Sequence, residues 1–366
     1  MSALIHRTGS STPLTERRRR RVLTAISCCL LLSTASHACQ VPVFRYALER
    51  WEPASYKLTI TPGSRGLSSA EKAAVQQLQH PPVPANLKVD LAPPGDGPLL
   101  TLHDPRSSAA SETTWQTRQL SPENVEALLE SPARKELSKR LLSGQTAVWL
   151  LLESGDATKD NAAFATLQSS LKTLTPQLKL PDGVTTQEEA LRAQSAGRHE
   201  NADVLLTDLP LKIEFSILRV SRHDARETVL MAMLMRLEPD LGDFIHEPMA
   251  FPVFGRGRAL EPLIGKGIRD DNLLQTASYL CGACSCEIKE RNPGMDLLIA
   301  ADWATLGTLP AVETVRIDPS PDDTPPSDSQ TPASSILTRL QHPGVVVVFA
   351  FLLLVFAYQY RRSKEH

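Results

Sequence analysis

The chain has 366 residues, with 39 lysines and arginines against 41 aspartates and glutamates, for a formal net charge of −2. Residues 1–38, interpreted below as a leader, contain six arginines and one glutamate, so the remaining chain carries a net charge of −7. A protein that binds nucleic acid needs a basic face for the phosphates. The composition therefore argues against nucleic acid as a partner.

The N-terminus has the order of segments found in a secretory signal peptide. Five arginines at 17–21 precede a short apolar run at 22–32, and small residues follow up to Ala38. The apolar run is too short to span a bilayer, which takes about 20 residues. We predict that residues 1–38 are a signal peptide. Cleavage there makes Cys39 the first mature residue, which leaves lipidation of Cys39 open as an alternative.

The C-terminus carries a second membrane signal. Residues 343–360 read PGVVVVFAFLLLVFAYQY without a charge, and three basic residues lie in the tail at 361–366. Basic residues flanking an apolar span mark its cytoplasmic side. The Pro/Ser/Asp-rich segment 317–342 cannot build a core and predicts a solvated linker. We therefore expect a single-pass protein of the cell membrane, with a periplasmic ectodomain and a cytoplasmic C-terminus.

The region 39–145 alternates between helical and strand patterns. Apolar spacing predicts helices and strands, and a polar stretch predicts a loop. The helices are expected at 44–51, 69–78 and 122–142 (a pair broken near Pro132), the strands at 56–60 and, within a turn-rich stretch at 81–98, at 87–91, and the loop at 106–117.

The region 146–316 begins with the run AVWLLL, which is typical of a strand buried on both faces. The pattern from there reads β-α-β-α-β-β-α. The strands are expected at 147–152, 212–220, 250–254 and 260–264, and the helices at 161–174, 225–237 and 272–280.

This element order resembles the thioredoxin fold. The segment that runs from Pro248 through a strand to Gly257 is also similar to that family's proline, strand and glycine turn. The resemblance implies an α/β fold and a cis peptide bond before Pro248. It also shows a departure, because the family's redox Cys-x-x-Cys follows its first strand, and the stretch 153–156 contains no cysteine. The region that starts at Cys39 is interpreted as a second, partial copy.

Three segments resemble an uncharacterised family of secreted, membrane-anchored bacterial proteins. They are CQVPVFRYALERW near Cys39, FPVFGRGRAL in the middle, and CSCEIKERNPGMDLL near the end. The resemblance implies a location outside the cytoplasm and no particular mechanism.

Four cysteines remain after the leader: Cys39, Cys281, Cys284 and Cys286. Their spacing leaves three interpretations open. Thiolates could bind zinc or copper, a Cys-x-x-Cys or Cys-x-Cys pair could exchange disulfides, or Cys39 could form a structural disulfide with the 281–286 cluster. An even number of cysteines in an oxidising compartment favours the structural disulfide. No cofactor is expected under that interpretation.

The sequence Gly255-Arg256-Gly257-Arg258 offers backbone amides and guanidinium groups that could bind an anion. A solvated hairpin tip is the interpretation we favour for it. No spacing of histidines, serines or carboxylates points to a catalytic site. The sequence thus predicts a non-catalytic binding or assembly module, with the membrane and another membrane or extracytoplasmic protein as partners. The alternative function is a thiol–disulfide oxidoreductase or metal-handling protein that uses the four cysteines.

Overall fold

The structure is a computed structural model that describes residues 40–106, 113–117, 119–197, 203–284 and 288–307. The predicted signal peptide, linker, membrane span and tail lie outside these residues. Among the described helices, none combines the length and the apolar character that crossing a membrane requires. The described part is a mixed α/β structure with two main sheets.

The N-terminal half contains four helices and four strands among its described residues and ends in two consecutive helices. Its elements are α1 (Val43–Arg50), β1 (Tyr56–Gly63), α2 (Ser69–Gln79), β2 (Leu87–Leu91), β3 (Asp96–His103), β4 (Thr113–Thr117), α3 (Pro122–Leu129) and α4 (Pro132–Leu142).

The C-terminal half contains the longest helix and the second sheet. Its elements are β5 (Ala147–Leu152), α5 (Ala157–Leu174), β6 (Val184–Thr185), α6 (Gln187–Ser195), β7 (Asp203–Val204), β8 (Phe215–Val220), α7 (Thr228–Leu234), β9 (Met249–Phe254), β10 (Arg258–Ala259), β11 (Leu263–Ile264), α8 (Asp270–Cys281) and β12 (Met295–Asp296).

The helix starts follow from their capping residues. Ser121 and Ser131 each accept a hydrogen bond from the backbone amide three residues on, and a proline follows each of them at the first helical position. The second serine–proline pair separates α3 from α4, which confirms the predicted break near Pro132.

The first sheet has the strand order β2-β1-β3-β4. Strand β1 is parallel to β2 and antiparallel to β3, and β3 is antiparallel to β4. Side chains alternate across a strand, so Tyr56, Leu58 and Ile60 lie on one face of β1 and are fully buried.

The second sheet has the order β12-β10-β9-β5-β8, with β11 also paired to β9. Strand β5 is parallel to β8 and antiparallel to β9, and β9 is antiparallel to β10. All six residues of β5 are buried, because Trp149 and Leu151 pack in a cluster with α5 and α8 while Val148, Leu150 and Leu152 belong to the cluster that contains α7.

The two sheets repeat one arrangement of four strands. The order β2-β1-β3-β4 in the first sheet corresponds to β8-β5-β9-β10 in the second, with the same parallel and antiparallel neighbours. The largest hydrophobic cluster contains residues of both sheets and of α3, α4 and α7.

One prediction about a loop is wrong. The stretch 106–117, predicted as a loop, contains β4. Trp115 of β4 packs against the main core cluster, which the polar residues around it concealed. The sequence patterns also gave no helix at α6, although its capping box between Thr186 and Glu189 is a recognisable start signal.

Candidate functional site

Two of the four candidate cysteines lie in the described residues, at the end of α8. Cys281 is the last residue of that helix, and both Cys281 and Cys284 are 1% exposed. No disulfide joins these two residues in the described structure. Cys39 and Cys286 lie outside the described residues.

The chemistry of Cys281 is unfavourable for thiol exchange. Burial raises the pKa of its thiol to about 12, and the attacking species in exchange is the thiolate. A C-terminal helix position adds to this, because the negative end of the helix dipole disfavours an anion there. Reactive cysteines use the opposite end of a helix, where the dipole lowers the thiol pKa.

Backbone pairing connects the cysteine segment to the start of the described chain. The Cys284 amide donates to the Val41 carbonyl at 3.0 Å, and the Val43 amide donates to the Gly282 carbonyl at 3.0 Å. Pro42 and Ala283 form an isolated antiparallel bridge between these two bonds. The N-terminal segment is thus fixed against the segment that follows α8.

The turn after β5 contains polar side chains in place of a redox motif. Asp160 accepts hydrogen bonds from the amides of Ser154 and Gly155 and from the Ser154 hydroxyl. Asp156 accepts from two amides at the start of α5. These bonds close the turn on itself, and the turn contains no thiol.

Pro248 is not in the conformation that the thioredoxin resemblance implies. The one cis peptide bond in the described part of the chain precedes Pro98, so the bond before Pro248 is trans and the expectation is wrong. The Pro248 carbonyl accepts a hydrogen bond from the Gly265 amide at 2.9 Å, which fixes the start of β9 to the turn after β11.

The turn Gly255-Arg256-Gly257-Arg258 is a packed structural element, and its description as a solvated hairpin tip is wrong. Arg256 donates to the carbonyls of Leu48 at 2.8 Å and Glu49 at 3.3 Å, near the end of α1. Helix C-termini leave such carbonyls without intrahelical partners. The side chain therefore caps α1.

Arg258 is held inside the protein in the same way. It donates to the carbonyls of Pro293 at 2.9 Å and Asn292 at 2.8 Å and forms an ion pair with Asp296 at 3.1 Å. Since the guanidinium groups of both arginines are engaged by protein oxygens, the predicted anion-binding turn has no basic group directed at solvent for that purpose.

Among the described residues, a groove beside α4 forms a concave surface that the sequence did not predict. It has a volume of about 730 Å³, within the usual range of ligand sites. Helix α4, the stretch 81–83 and residues 300–302 form its walls. Its apolar lining consists of Pro81, Pro82, Val83, Leu129, Pro132, Leu142, Ala300 and Ala301.

Lysines lie at the rim of this groove. Lys135 and Lys139 are four residues apart on α4, hence on one face of it, and both are exposed. Neither forms an ion pair with another described residue. The lining also contains the carboxylates of Glu130, Glu136 and Asp302, so the groove combines an apolar floor with charges of both signs.

Arg134 fixes the base of the groove. It is 2% exposed and donates to the carbonyls of Leu128 at 3.1 Å and Leu298 at 2.7 Å. Burial lowers its pKa to about 10, while the nearby Glu227 carboxylate acts in the opposite direction. Glu227 itself accepts from the Ala133 amide at 2.8 Å at the start of α4, where a helix favours an anion.

The sequence carried a partial signal for the groove in the PPVP stretch, which marks an extended segment. It carried none for Arg134, because a buried arginine cannot be told from an exposed one by its neighbours in the chain. The described residues contain no group of histidine, cysteine and carboxylate side chains placed to bind a metal ion.

No protein-family model matches the chain. No curated protein and no solved structure matches it either.

Proposed function

We propose that the chain is a single-pass membrane protein whose extracytoplasmic part is a non-catalytic binding or assembly module, built from two thioredoxin-like units. The observation that carries the proposal is the chemistry at the redox position. The turn after β5 is closed by Asp160, and Cys281, one of the two candidate thiols in the described chain, is buried with a raised pKa at the C-terminal end of a helix.

The repeated strand arrangement supports the two-unit interpretation. In each sheet a central strand has a parallel neighbour on one side and an antiparallel neighbour on the other. The second unit also has helices on both faces of its sheet, with α5 and α8 on one face and α7 on the other. The first unit has no helix between β2 and β3, which makes it the partial copy.

The groove beside α4 is the surface that fits a binding role best. Its apolar lining offers burial to an extended segment of a partner protein, and buried apolar area is the main source of binding energy. Lys135 and Lys139 complement a carboxylate in that segment, while Glu130 and Asp302 of the same lining complement a basic group. We therefore propose as occupant an apolar segment with charged residues, from another membrane or extracytoplasmic protein.

Photo-cross-linking in cells tests this proposal. A photoreactive amino acid replaces Val83, an exposed groove residue, or Leu191, an exposed apolar residue of α6 used as the control position. The expected result is a discrete adduct from position 83 that is absent from position 191. Reversal of the charge of both exposed groove lysines, by Lys135→Glu with Lys139→Glu, should remove the adduct.

A matched charge control is available on another helix. Lys172 is an exposed lysine of α5, and Lys172→Glu should leave the adduct unchanged. Adducts that ignore the groove charges would contradict the proposed surface. A disulfide reductase activity of the purified protein that is lost in Cys284→Ser would contradict the non-catalytic assignment and favour the thiol-exchange alternative.

A further inference from the structure

The outer edge of the first sheet is formed by β2, and its backbone has an ordered set of unpaired groups. Tyr56 donates to the Asn86 carbonyl and Ala92 donates to the Ile60 carbonyl. In a parallel pair, alternate residues of a strand direct both backbone groups to the same neighbour. The even-numbered residues of β2 therefore face β1. Leu87, Val89 and Leu91 direct their amides and carbonyls away from the sheet.

Nothing in the described structure pairs with these outward groups, whereas on β8, the corresponding edge strand of the second sheet, a side chain caps one carbonyl. There the Arg140 guanidinium donates to the Ile217 carbonyl on β8 at 3.0 Å. Proteins block such edges with charges, prolines or side-chain caps because a free edge pairs with other strands. No proline occurs within Leu87–Leu91.

The side chains of β2 are symmetric about Val89. The strand reads Leu-Lys-Val-Asp-Leu, with an apolar residue at each end and opposite charges on either side of the centre. Leu87 and Val89 pack against the core on one face. Lys88 and Asp90 lie on the other face, beside Lys57 and Thr59 of β1. Asp90 also forms an exposed ion pair with Lys57 at 3.3 Å, and such a surface pair contributes little and leaves the carboxylate accessible.

We propose that β2 is a self-association edge that pairs antiparallel with β2 of a second copy of this chain, about a twofold axis at Val89. In that register Val89 pairs with its counterpart and Leu87 pairs with Leu91 of the other copy. Their outward backbone groups then form the hydrogen-bonded pairs that an antiparallel ladder requires. Lys88 of each copy lies opposite Asp90 of the other, and such cross-strand pairs of opposite charge are favourable.

The charges also select this register over its neighbours. A shift by two residues, the smallest that keeps the outward backbone groups paired, places Lys88 opposite Lys88 or Asp90 opposite Asp90. Like charges directly opposite are destabilising. A single charge on an edge strand would repel the same charge of a second copy. The pair Lys88 and Asp90 instead allows a second copy to pair in one register only. The twofold arrangement closes the assembly at a dimer.

A five-residue pairing is smaller than the usual stable interface, so we expect a weak dimer. Sedimentation of the purified full-length protein in detergent, over a range of concentrations, measures it. We expect Lys88→Asp and Asp90→Lys to weaken association about tenfold or more each, because each variant places like charges opposite each other in two pairs.

The mixture of the two variants is the decisive sample. One copy then carries two aspartates and the other two lysines, so both cross-strand pairs are again of opposite charge. Differently tagged copies of Lys88→Asp and Asp90→Lys should co-isolate and associate at least as tightly as the wild type. Lys72→Asp, at an exposed lysine of α2, is the control for net charge and should leave association unchanged.

Three results would each overturn the inference. They are a wild-type protein that stays monomeric at every concentration, single reversals that associate like the wild type, and a mixture that associates no better than either variant alone. The test does not involve the groove beside α4, so its failure leaves the proposed function intact.

Discussion

Replacement of Gly257 by alanine tests the claim that the glycine–arginine turn is a packed structural joint. Gly257 has φ +98°, and a Cβ there would lie 2.3 Å from Ile299 Cδ1. A left-handed backbone costs a residue other than glycine about 1–2 kcal/mol, and forcing a buried side chain to move costs about 1–3 kcal/mol. Ile299 is 2% exposed and has little room, so Gly257→Ala should lose about 2–5 kcal/mol of unfolding free energy.

A second glycine supplies the matched control. Gly66 has φ +74°, and no atom lies within 4 Å of the position that a Cβ would take there, so Gly66→Ala should lose about 1–2 kcal/mol from the backbone alone. Urea unfolding of the full-length protein, followed by tryptophan fluorescence, gives both values. The difference between the variants isolates the packing against Ile299. Equal losses in the two variants would refute the reasoning.

Two further predictions concern buried groups. Arg134→Ala should cost about 3–5 kcal/mol of unfolding free energy in the same urea assay, because it leaves buried carbonyls without their donor and removes the positive charge near the Glu227 carboxylate. Lys135→Ala at the exposed neighbouring position should stay within about 0.5 kcal/mol of the wild type, and similar losses in the two variants would contradict the role of Arg134. Burial raises the pKa of Cys281 to about 12, so the folded state disfavours the thiolate. The contribution of the protonated Cys281 thiol to stability is therefore fully present below the ordinary thiol pKa, and it is lost as the pH rises towards 12. Cys281→Ala should therefore reduce the fall in unfolding free energy between neutral and strongly alkaline pH. Tyr56, whose pKa is also raised, contributes to this fall equally in both proteins. An unchanged fall in the variant would show that Cys281 is not the group responsible.

The elements that could be predicted are those whose signal lies in their own residues. Strands β2 and β5 have the predicted bounds, because β2 lies between two proline-rich turns and β5 is a continuous apolar run. The break between α3 and α4 follows from a proline at the first helical position. Local chemistry decides such features before any tertiary contact forms.

The turn at Gly255 and Gly257 shows where local patterns are insufficient. Two glycines and two arginines are typical of an exposed hairpin, and here the same residues are buried because α1 and the segment near Asn292 place carbonyl oxygens around the guanidinium groups. The groove has the same origin. Its walls come from the stretch 81–83, α4 and residues 300–302, which are far apart in the chain, and no pattern within one segment reports that they meet.

Intact mass measurement of the protein from membranes, alkylated in the native state with and without reduction, tests the non-catalytic account most directly. The described structure has no disulfide at Cys281 or Cys284, and the bridge between Pro42 and Ala283 joins the segment that follows Cys39 to the segment that precedes Cys286. The account therefore predicts one disulfide between Cys39 and Cys286, no bound metal, and Cys281 and Cys284 alkylated only after unfolding. Rapid native alkylation of Cys281 or Cys284, a disulfide between those two, or bound zinc or copper would contradict it and assign the chemistry of this protein to its cysteines.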